Sequence, residues 1–545
     1  MSRNIPLRKL PCNGRTAALR ALLLVDGGLS AQQALAAVLE APEAHGNSRG
    51  SRRNSRADRH SDNSGRCCDL APQDKALCTE LVYGCLRTEL RLDFLLHRVL
   101  PRPEGLPRPM QLLLALAVYG LLFQDRVPPH AVVHEAVEQV RTLLGQGLAR
   151  VANGALRSLQ RMGSEPAQQS FYSGRPDRKK HRQGAAGDDS FFGKCIFYSV
   201  PLWIGEMWRA AYGEHAALAL MQRSFERPWA ALRINAQHAD APALYTALAS
   251  PHGAAAAQSP MIPALAASAP AASGPAVSRS DAPCGASLAD SEHGAGLPEG
   301  HVGLADRNPL PEVQDNRQAP VAIGAWGLAF APGAMPREAL GRDLREWVAC
   351  GALSRQSAGS QHALLALGLD RWNEPVWDAC AGHGGKSAAL MEWGVPVALC
   401  SDRSFSRLRG LPGQCATLGL PVPPHCLADA VVPPLRQWQG HILVDAPCSG
   451  LGVLARRPDI RRREPQHLAE LEALQQNMLR TLAGILQPGR ELAYMTCTLN
   501  PAENERAIDQ LLESNPDLTL ERQWQTEHDH PWLEGMFGAV LRRKV

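Results

Sequence analysis

Two cysteines stand where a thiol could take part in covalent chemistry. Cys448 lies in the segment Val-Asp-Ala-Pro-Cys-Ser-Gly-Leu-Gly (444–452), and Cys497 lies in Tyr-Met-Thr-Cys-Thr-Leu-Asn-Pro (494–501). Each follows an apolar run typical of a β-strand, and ligands of open α/β sheets bind beyond the carboxyl ends of the strands. The pattern therefore predicts two thiols that face one crevice. A single Cys is more commonly a small buried apolar residue, but the proline before Cys448 and the threonine before Cys497 favour defined turns.

A glycine-rich segment ends an earlier strand-like run. After Asp378 and Ala379 it consists of Cys380, Ala381, Gly382, His383, Gly384, Gly385 and Lys386. A glycine-rich turn between a strand and a helix lets the backbone approach a ligand closely. The segment lacks the spacing of a phosphate-binding loop. Taken alone, it is also compatible with a purely structural turn.

Acidic residues follow the next two strand-like runs. Asp402 ends the second run, about 20 residues after the glycines, where an acidic side chain binds a ribose diol in nucleotide-type sites. Asp429 ends the third run, where it could face an adenine or its ribose. Each Asp alone is more commonly a helix N-cap. Three such signals after three consecutive strands favour a nucleotide-like cofactor.

These residues require a sheet whose strand ends meet at one edge. Strand-like runs alternate with helical patterns in the last third of the chain, which is typical of a parallel α/β sheet. The strand-like runs are 375–380, 396–401, 425–428, 441–446 and 491–497, and the helical patterns are 386–393, 403–418, 466–486 and 502–512. We assign this α/β domain to residues 346–545.

The N-terminal part of the chain is predicted to be helical. Apolar residues recur at the helical spacing over 15–24, 31–39, 75–86, 90–100, 110–123, 131–144 and 148–162. We assign an all-α domain to residues 1–163, interrupted by an Arg/Ser/Asn-rich stretch at 46–66. Such a composition cannot form a core, so we interpret this stretch as a disordered insert. The alternative is an arm that contacts RNA.

Two further segments join these domains. Residues 164–190 are polar and are interpreted as a linker, although their cationic cluster at 178–182 could also bind phosphates. Residues 191–345 are predicted to form a small α+β linking domain. It contains an Ala/Ser/Pro/Gly-rich tract at about 251–320 that we expect to be disordered.

The composition limits the class of protein. Hydrophobic residues make up 45% of the 545 residues and charged residues 20%, which excludes wholesale disorder. A net charge of +4 is too small to establish a nucleic-acid partner. The most apolar run, 110–123, is shorter than the roughly 20 residues that span a bilayer. The 14 Cys form no C-x-x-C pair, so we expect cytosolic thiols and no bound metal. We also expect a cytoplasmic monomer that does not bind a membrane.

Three motifs resemble those of a known enzyme family. The segments DACAGHGGK (378–386), DAPCSGLG (445–452) and TCTLNPAENE (496–505) resemble motifs of RNA cytosine-5 methyltransferases of the Fmu/Sun type. The order of the whole chain is most similar to bacterial 16S ribosomal RNA cytosine-5 methyltransferases of the B type, which carry an N-terminal NusB-like domain. Residues 80–88, 128–131 and 153–157 match that helical domain, and residues 233–235 resemble the small linking domain of the family. The resemblance implies a C-terminal Rossmann-like methyltransferase domain.

The resemblance also implies an activity. It is transfer of a methyl group from S-adenosylmethionine to carbon 5 of a cytosine in ribosomal RNA. By resemblance, Cys497 is the nucleophile that adds to carbon 6 and turns the ring into an enamine, Cys448 assists release, and Asp445 hydrogen-bonds the cytosine. The cofactor residues implied are Cys380 to Lys386, Asp402, Asp429 and Asp445. The base must leave its stack, which favours a single-stranded or loop target.

Other interpretations remain at this point. Five arginines after the Pro-Cys motif, Arg456, Arg457, Arg461, Arg462 and Arg463, could hold target phosphates or form a solvated basic loop. A non-catalytic RNA-binding factor for ribosome assembly is the main alternative to an enzyme. A DNA cytosine methyltransferase is a further one, but in those enzymes the Pro-Cys thiol attacks and an additional Thr-Cys motif is not expected.

Overall fold

The computed structural model describes residues 7–40, 70–125, 127–173, 189–250 and 319–545. The basic stretch at 46–66, the cationic cluster at 178–182 and all but the last two residues of the tract at 251–320 lie outside these ranges. Over the described residues, no helix combines the length and apolarity needed to cross a membrane.

Seven helices form the N-terminal domain, as the apolar spacing predicts. They are α1 Gly14–Asp26, α2 Ala31–Leu39, α3 Pro72–Arg87, α4 Glu89–Val99, α5 Arg108–Phe123, α6 Pro129–Leu144 and α7 Gln146–Arg161, with short 3-10 turns at Leu7–Lys9 and Pro103–Gly105. Ser30 begins α2 through a reciprocal capping box with Gln33, and α3 and α6 start at prolines, whose missing N–H costs nothing in a first turn. The apolar faces of the helices bury a common core.

The start of the predicted polar linker belongs to this helical domain. Glu165–Ala167 and Gln169–Tyr172 form 3-10 turns. The Tyr172 side chain is fully buried, and the buried Arg91 donates to the Tyr172 hydroxyl at 2.9 Å and to the Pro166 carbonyl at 2.6 Å. The interpretation of 164–190 as a solvated linker is therefore wrong for residues 165–172, because the Pro166 carbonyl and the Tyr172 hydroxyl accept hydrogen bonds from a buried guanidinium.

Four helices and a small antiparallel sheet follow. The elements are α8 Asp189–Phe197, α9 Leu202–Phe225, β1 Ala230–Ile234, α10 Ala241–Ala249, β2 Val321–Ile323, β3 Gly327–Phe330, β4 Glu338–Ala339, β5 Arg342–Asp343, α11 Leu344–Ala349 and β6 Leu353–Arg355. The main sheet has the order β2-β3-β1-β6, with every neighbouring pair antiparallel. This region has the predicted α+β composition, but it extends past the predicted boundary at residue 345 because β6 pairs with β1.

The C-terminal domain contains a seven-stranded sheet. Its elements are α12 Ala358–Ala366, β7 Val376–Asp378, α13 Gly385–Glu392, β8 Val397–Asp402, α14 Phe405–Leu408, α15 Leu411–Leu418, β9 His425–Leu427, β10 His441–Asp445, α16 Gln466–Ile485, β11 Glu491–Thr496, α17 Glu505–Ser514, β12 Leu518–Gln525 and β13 Phe537–Arg543. Single 3-10 turns lie at Leu369–Arg371, Leu451–Val453 and Pro458–Arg462.

The strand order is β12-β13-β11-β10-β7-β8-β9. The strands from β9 to β11 are parallel, whereas β13 runs antiparallel to β11 and β12 antiparallel to β13. The chain builds outward from β7 to β9 and then returns to place β10 on the other side of β7. Ligands of such sheets bind at this switch point, beyond the carboxyl ends of the strands.

Helices cover both faces of this sheet. Alternate residues of β10 point to opposite faces: Ile442 and Val444 join the core beneath α16 and α17, and Leu443 joins the core beneath α12 and α13. A parallel sheet needs this double cover because both faces are apolar. The predicted Rossmann-like arrangement is confirmed, with an antiparallel edge added by β12 and β13.

A buried ion pair docks the linking domain onto the C-terminal domain. Arg233 of β1 pairs with Glu392 at the end of α13 through contacts of 2.7 and 3.0 Å. The two side chains are only 1% and 0% exposed. Arg233 also donates to the carbonyl of Gly385, at 3.3 Å. The Arg-Ile-Asn segment thereby supports the helix that follows the glycine-rich loop.

We expect Arg233→Ala to lower the free energy of unfolding by about 3–5 kcal/mol, because it leaves the Glu392 carboxylate buried without its partner. Urea unfolding followed by circular dichroism measures this loss. Glu346→Ala, which removes the exposed partner of Arg342, is the matched control and should cost no more than about 0.5 kcal/mol. An equal, small effect of both substitutions would contradict a docking role for Arg233.

Candidate active site

The loops after β10 and β11 bring the two thiols together. Cys448 Sγ lies 3.3 Å from Cys497 Sγ, and the Cys497 backbone N–H also donates to Cys448 Sγ at 3.3 Å. Both residues are partly exposed and neither is in a disulfide. The sequence predicts two thiols that face one crevice. The structure places them side by side because β10 and β11 are adjacent parallel strands.

A buried carboxylate connects the two cysteine motifs. Glu503 is fully buried and accepts hydrogen bonds from the Ser449 backbone and hydroxyl, and from Gln475 at 2.9 Å and Asn500 at 3.1 Å. The hydroxyls of Ser449 and Thr498 lie 2.7 Å apart. Each residue that follows a cysteine is thus held by one network, which fixes the distance between the thiols. Sequence reasoning missed Glu503, although an acidic residue so close to the Thr-Cys motif was a visible signal.

The surroundings of Cys497 favour its thiolate. The hydrogen bond from Cys448 lowers the pKa of Cys497, and the nearby cations Lys386 and Arg457 lower it further, against burial and the Asp445 carboxylate. The net direction is downward. Of the pair, Cys497 is therefore the thiol that ionises more readily.

Cys448 is shifted the other way. Its hydrogen bond to Cys497 raises the pKa of Cys448 well above the ordinary range, and burial and the charge of Glu503 act in the same direction. Ionisation of both adjacent thiols is disfavoured, because like charges repel in a low dielectric. Of the two, Cys497 is therefore the thiol that ionises more readily, and Cys448 is the one that retains its proton more strongly.

Lys386 links the glycine-rich loop to the thiols. Its ammonium group forms an ion pair with Asp445 at the end of β10. Burial acts to lower the pKa of Lys386, but the Asp445 carboxylate outweighs it and the pKa is raised. Lys386 is therefore a fixed positive charge beside Cys497. Deeper in the loop, burial raises the pKa of Asp378 to about 6 although it accepts a hydrogen bond from Ser387.

The glycine-rich loop leaves part of its backbone accessible to a ligand. Gly382 and Gly384 have φ values of 58° and 91°, which side chains rarely adopt. The Gly384 N–H donates to the Ala381 carbonyl at 2.8 Å, closing the turn. No atom lies within 4 Å of the place where a side chain of Gly385 would begin. A ligand can therefore approach this backbone, as S-adenosylmethionine would require.

Asp402 stands against this loop. Its carboxylate is 2% exposed and accepts hydrogen bonds from the N–H groups of Gly382 (2.9 Å) and Ser404 (2.7 Å) and from Arg407 (2.9 Å). A carboxylate has about four acceptor sites, so it can also accept from a ribose hydroxyl. The residues fit the nucleoside part of S-adenosylmethionine.

The remaining predicted cofactor residues differ in their surroundings. Asp429 lies two residues beyond β9 and accepts from the Val431 N–H at 2.9 Å. His383 is exposed. Burial raises the pKa of Cys380 well above the ordinary range, so its thiol stays neutral. The roles of these three residues stay predictions.

Four of the five arginines after the Pro-Cys motif have partners within the protein. Arg456 pairs with Glu534, Arg462 with Glu89 and Asp26, and Arg461 and Arg463 donate to backbone carbonyls. Arg457 alone is about half exposed, 3.7 Å from Asp459. Neither a phosphate clamp nor a solvated loop describes the four paired arginines. Over the described ranges, no group of three or more His, Cys, Asp or Glu could hold a metal ion.

Two protein families match this chain. Residues 366–534 match the family described as 16S rRNA methyltransferase RsmB/F, and residues 29–161 match the NusB family. The first range contains the glycine-rich loop, the acidic strand ends and both thiols.

Curated relatives match most of the chain. The probable ribosomal RNA small subunit methyltransferase B of Bacillus subtilis is 28% identical over 467 residues, covering 83% of this chain and 84% of the relative. The ribosomal RNA small subunit methyltransferase B of Vibrio cholerae is 28% identical over 461 residues, with 83% and 84% covered.

A solved structure shares the whole fold. The crystal structure of PH0851 superposes with a TM-score of 0.61 at 16% identity, covering 98% of this chain and 99% of that one. The architecture, the family matches and the relatives agree with one another. The chain carries a NusB-family helical domain followed by a methyltransferase domain of the 16S rRNA methyltransferase RsmB/F family.

Proposed function

We propose that this protein transfers a methyl group from S-adenosylmethionine to carbon 5 of a cytosine in small-subunit ribosomal RNA, through a covalent bond between Cys497 and the base. The observation that carries this proposal is the pair of thiols 3.3 Å apart, whose surroundings lower the pKa of Cys497 and raise that of Cys448. The names of the relatives support the RNA substrate.

The first step needs a thiolate nucleophile. Carbon 5 of cytosine is a poor nucleophile until a thiolate adds to carbon 6 and makes the ring an enamine. Cys497 is suited to this attack because Lys386 and Arg457 stabilise its charge. Asp445, held by Lys386 beside the thiols, is placed to accept a hydrogen bond from the base.

The methyl donor is S-adenosylmethionine, which supplies an electrophilic methyl group when bound. The glycine-rich loop and Asp402 would hold its nucleoside, and Asp445 and Lys386 border the same crevice. The crevice lies at the switch point between β7 and β10, beside the thiols. Donor and base would therefore meet where the three loops converge.

Release needs the second thiol. The methylated adduct loses the proton on carbon 5 to a water molecule, and the electrons of that C–H bond form the double bond between carbons 5 and 6 as Cys497 leaves as a thiolate. Cys448 and Cys497 already share a hydrogen bond in the free protein. The same hydrogen bond would stabilise the departing sulfur, so Cys448 assists release.

The helical domain offers a surface for the RNA backbone. Along α7, Gln146, Arg150, Asn153 and Arg157 are exposed on one face, and they border a groove with Arg141 of α6. Clustered cations bind phosphates by releasing counterions. This groove supports RNA binding and does not distinguish an enzyme from an assembly factor, whereas the thiol pair favours the enzyme.

Lys386→Met should raise the pKa of Cys497, because it removes a cation beside the thiolate and frees the charge of Asp445. Alkylation by iodoacetamide at a series of pH values, followed by peptide mass spectrometry, reports the thiolate fraction. In the wild type, alkylation of Cys497 should reach its half-maximal rate at a lower pH than alkylation of Cys448. In Lys386→Met the Cys497 midpoint should move to higher pH.

Lys194→Met, which removes the partner of Glu214 on the surface, should leave the Cys497 midpoint unchanged. A midpoint that is the same in wild type and Lys386→Met would show that Lys386 does not stabilise the thiolate.

Asp402→Ala should weaken binding of S-adenosylmethionine by about 10–150-fold, because a hydrogen bond to a charged group contributes about 1.5–3 kcal/mol. Isothermal calorimetry measures the affinity, and circular dichroism verifies folding. Asp509→Ala, on the exposed face of α17, is the control. Unchanged affinity in folded Asp402→Ala would remove Asp402 from the cofactor site.

The two cysteine variants should fail differently. Cys497→Ala should give neither product nor adduct with unmodified ribosomal RNA. Cys448→Ala should still attack and methylate, although more slowly because it lacks the hydrogen bond that lowers the pKa of Cys497. Its release should be slowed more, so a protein–RNA band should survive a denaturing gel. Cys448→Ser retains a donor and should accumulate less of this band.

An adduct in Cys497→Ala but not in Cys448→Ala would exchange the two roles and keep the enzyme class. Normal turnover of both alanine variants would contradict the proposed mechanism and favour the assembly-factor alternative.

A further inference from the structure

A short segment after the Pro-Cys motif contacts the helical domain. Arg462 forms a two-pronged ion pair with Glu89 at the start of α4, at 2.8 and 2.6 Å, and a further contact of 3.0 Å with Asp26 at the end of α1. Asp26 is also held by Arg108 of α5. These side chains are only 21–46% exposed, and a bidentate network of this kind is stronger than an isolated surface pair.

The next residue contacts the turn that carries Cys448. Arg463 Nη1 donates to the Ser449 carbonyl at 2.7 Å and lies 3.4 Å from the Cys448 carbonyl. Gly450 continues this turn with a φ of 75°, and a side chain there would begin 2.7 Å from Ile460. The turn therefore packs directly on the segment that carries Arg462 and Arg463.

The segment itself has little freedom to move. Arg461 is buried, and its guanidinium donates to the carbonyls of Ser199, Leu454 and Ser224 at 2.7–3.0 Å. Leu454 and Ile460 belong to a core formed with α8 and α9. Arg462 and Arg463 adjoin this anchored residue, so the ion pairs of Arg462 and the contacts of Arg463 hold consecutive positions of one segment.

We propose that Arg463 is a positioning residue for Cys448, and that the helical domain fixes Arg463 through the Glu89–Arg462 ion pair. The helical domain thus sets the geometry of the thiol pair in addition to any contact with RNA. This inference rests on the proposed function, in which Cys448 assists release of Cys497 from the methylated base.

The consequence is specific to one step. Arg463 hydrogen-bonds the backbone of the Cys448 turn, whereas Cys497 is stabilised by its hydrogen bond with Cys448 and also by Lys386 and Arg457. Loss of Arg463 should slow release more than it slows attack, while binding of S-adenosylmethionine stays close to wild type. A merely structural role would lower all of these together.

The test compares full-length Arg463→Ala and Glu89→Gln with the wild type on unmodified small-subunit ribosomal RNA. Rapid quench gives the rate of methyl transfer in a single turnover, and denaturing gels give the decay of the covalent adduct. We expect adduct decay to slow by roughly tenfold in Arg463→Ala, since a charge-assisted hydrogen bond is lost, and by a smaller factor in Glu89→Gln. Arg463→Lys retains one donor and should restore part of the rate.

Glu346→Ala, which removes an exposed ion pair of the linking domain, is the matched control and should behave as the wild type. If Arg463→Ala does not fold, the Glu89→Gln and Arg463→Lys variants still report the decay rate. Unchanged decay in all folded variants, or an equal loss of methyl transfer and release, overturns the positioning role. A wild-type protein that gives no methylated cytosine overturns the proposed function, and this inference with it.

Discussion

The candidate site depends on one hydrogen bond, between Cys448 Sγ and Cys497 Sγ across 3.3 Å. Once one of two thiols this close in a partly buried site has lost its proton, loss of the second proton is disfavoured, because the second negative charge would be repelled by the first. The neighbouring charges determine which of the two sulfurs loses its proton more readily. Cations lie beside Cys497, and Glu503 lies near Cys448. The chemical difference between two identical side chains is thus a property of the fold around them.

Contacts from all three domains maintain this arrangement. Glu503 ties together the turns that follow β10 and β11, and Arg233 of the linking domain supports the helix after the glycine-rich loop. Arg462 joins the helical domain to the segment beneath Cys448. The NusB-family domain and the methyltransferase domain therefore share side-chain contacts near the site, so a substitution on α4 can affect the chemistry.

Local sequence signals predicted much of the fold. The helices of the N-terminal domain and the strands β7 to β11 follow apolar periodicity, and the thiols and acidic residues follow strand ends, which parallel topology gathers at one edge. The strands β12 and β13 were missed: β12 is a polar, partly exposed edge strand whose Glu, Arg and Gln residues hide its alternation. The partners of Arg462 and Arg91 were also missed, because each lies far along the chain and has no local pattern.

The most direct measurement uses small-subunit ribosomal RNA that contains 5-fluorocytidine. Fluorine cannot leave carbon 5 as the proton does, so the wild-type enzyme should remain bonded to the base. Protease digestion and mass spectrometry then identify the cysteine that carries the nucleotide. We predict that the Cys497 peptide carries the nucleotide when S-adenosylmethionine is present. A nucleotide on the Cys448 peptide, or an RNA released without any bond to the protein, would contradict it.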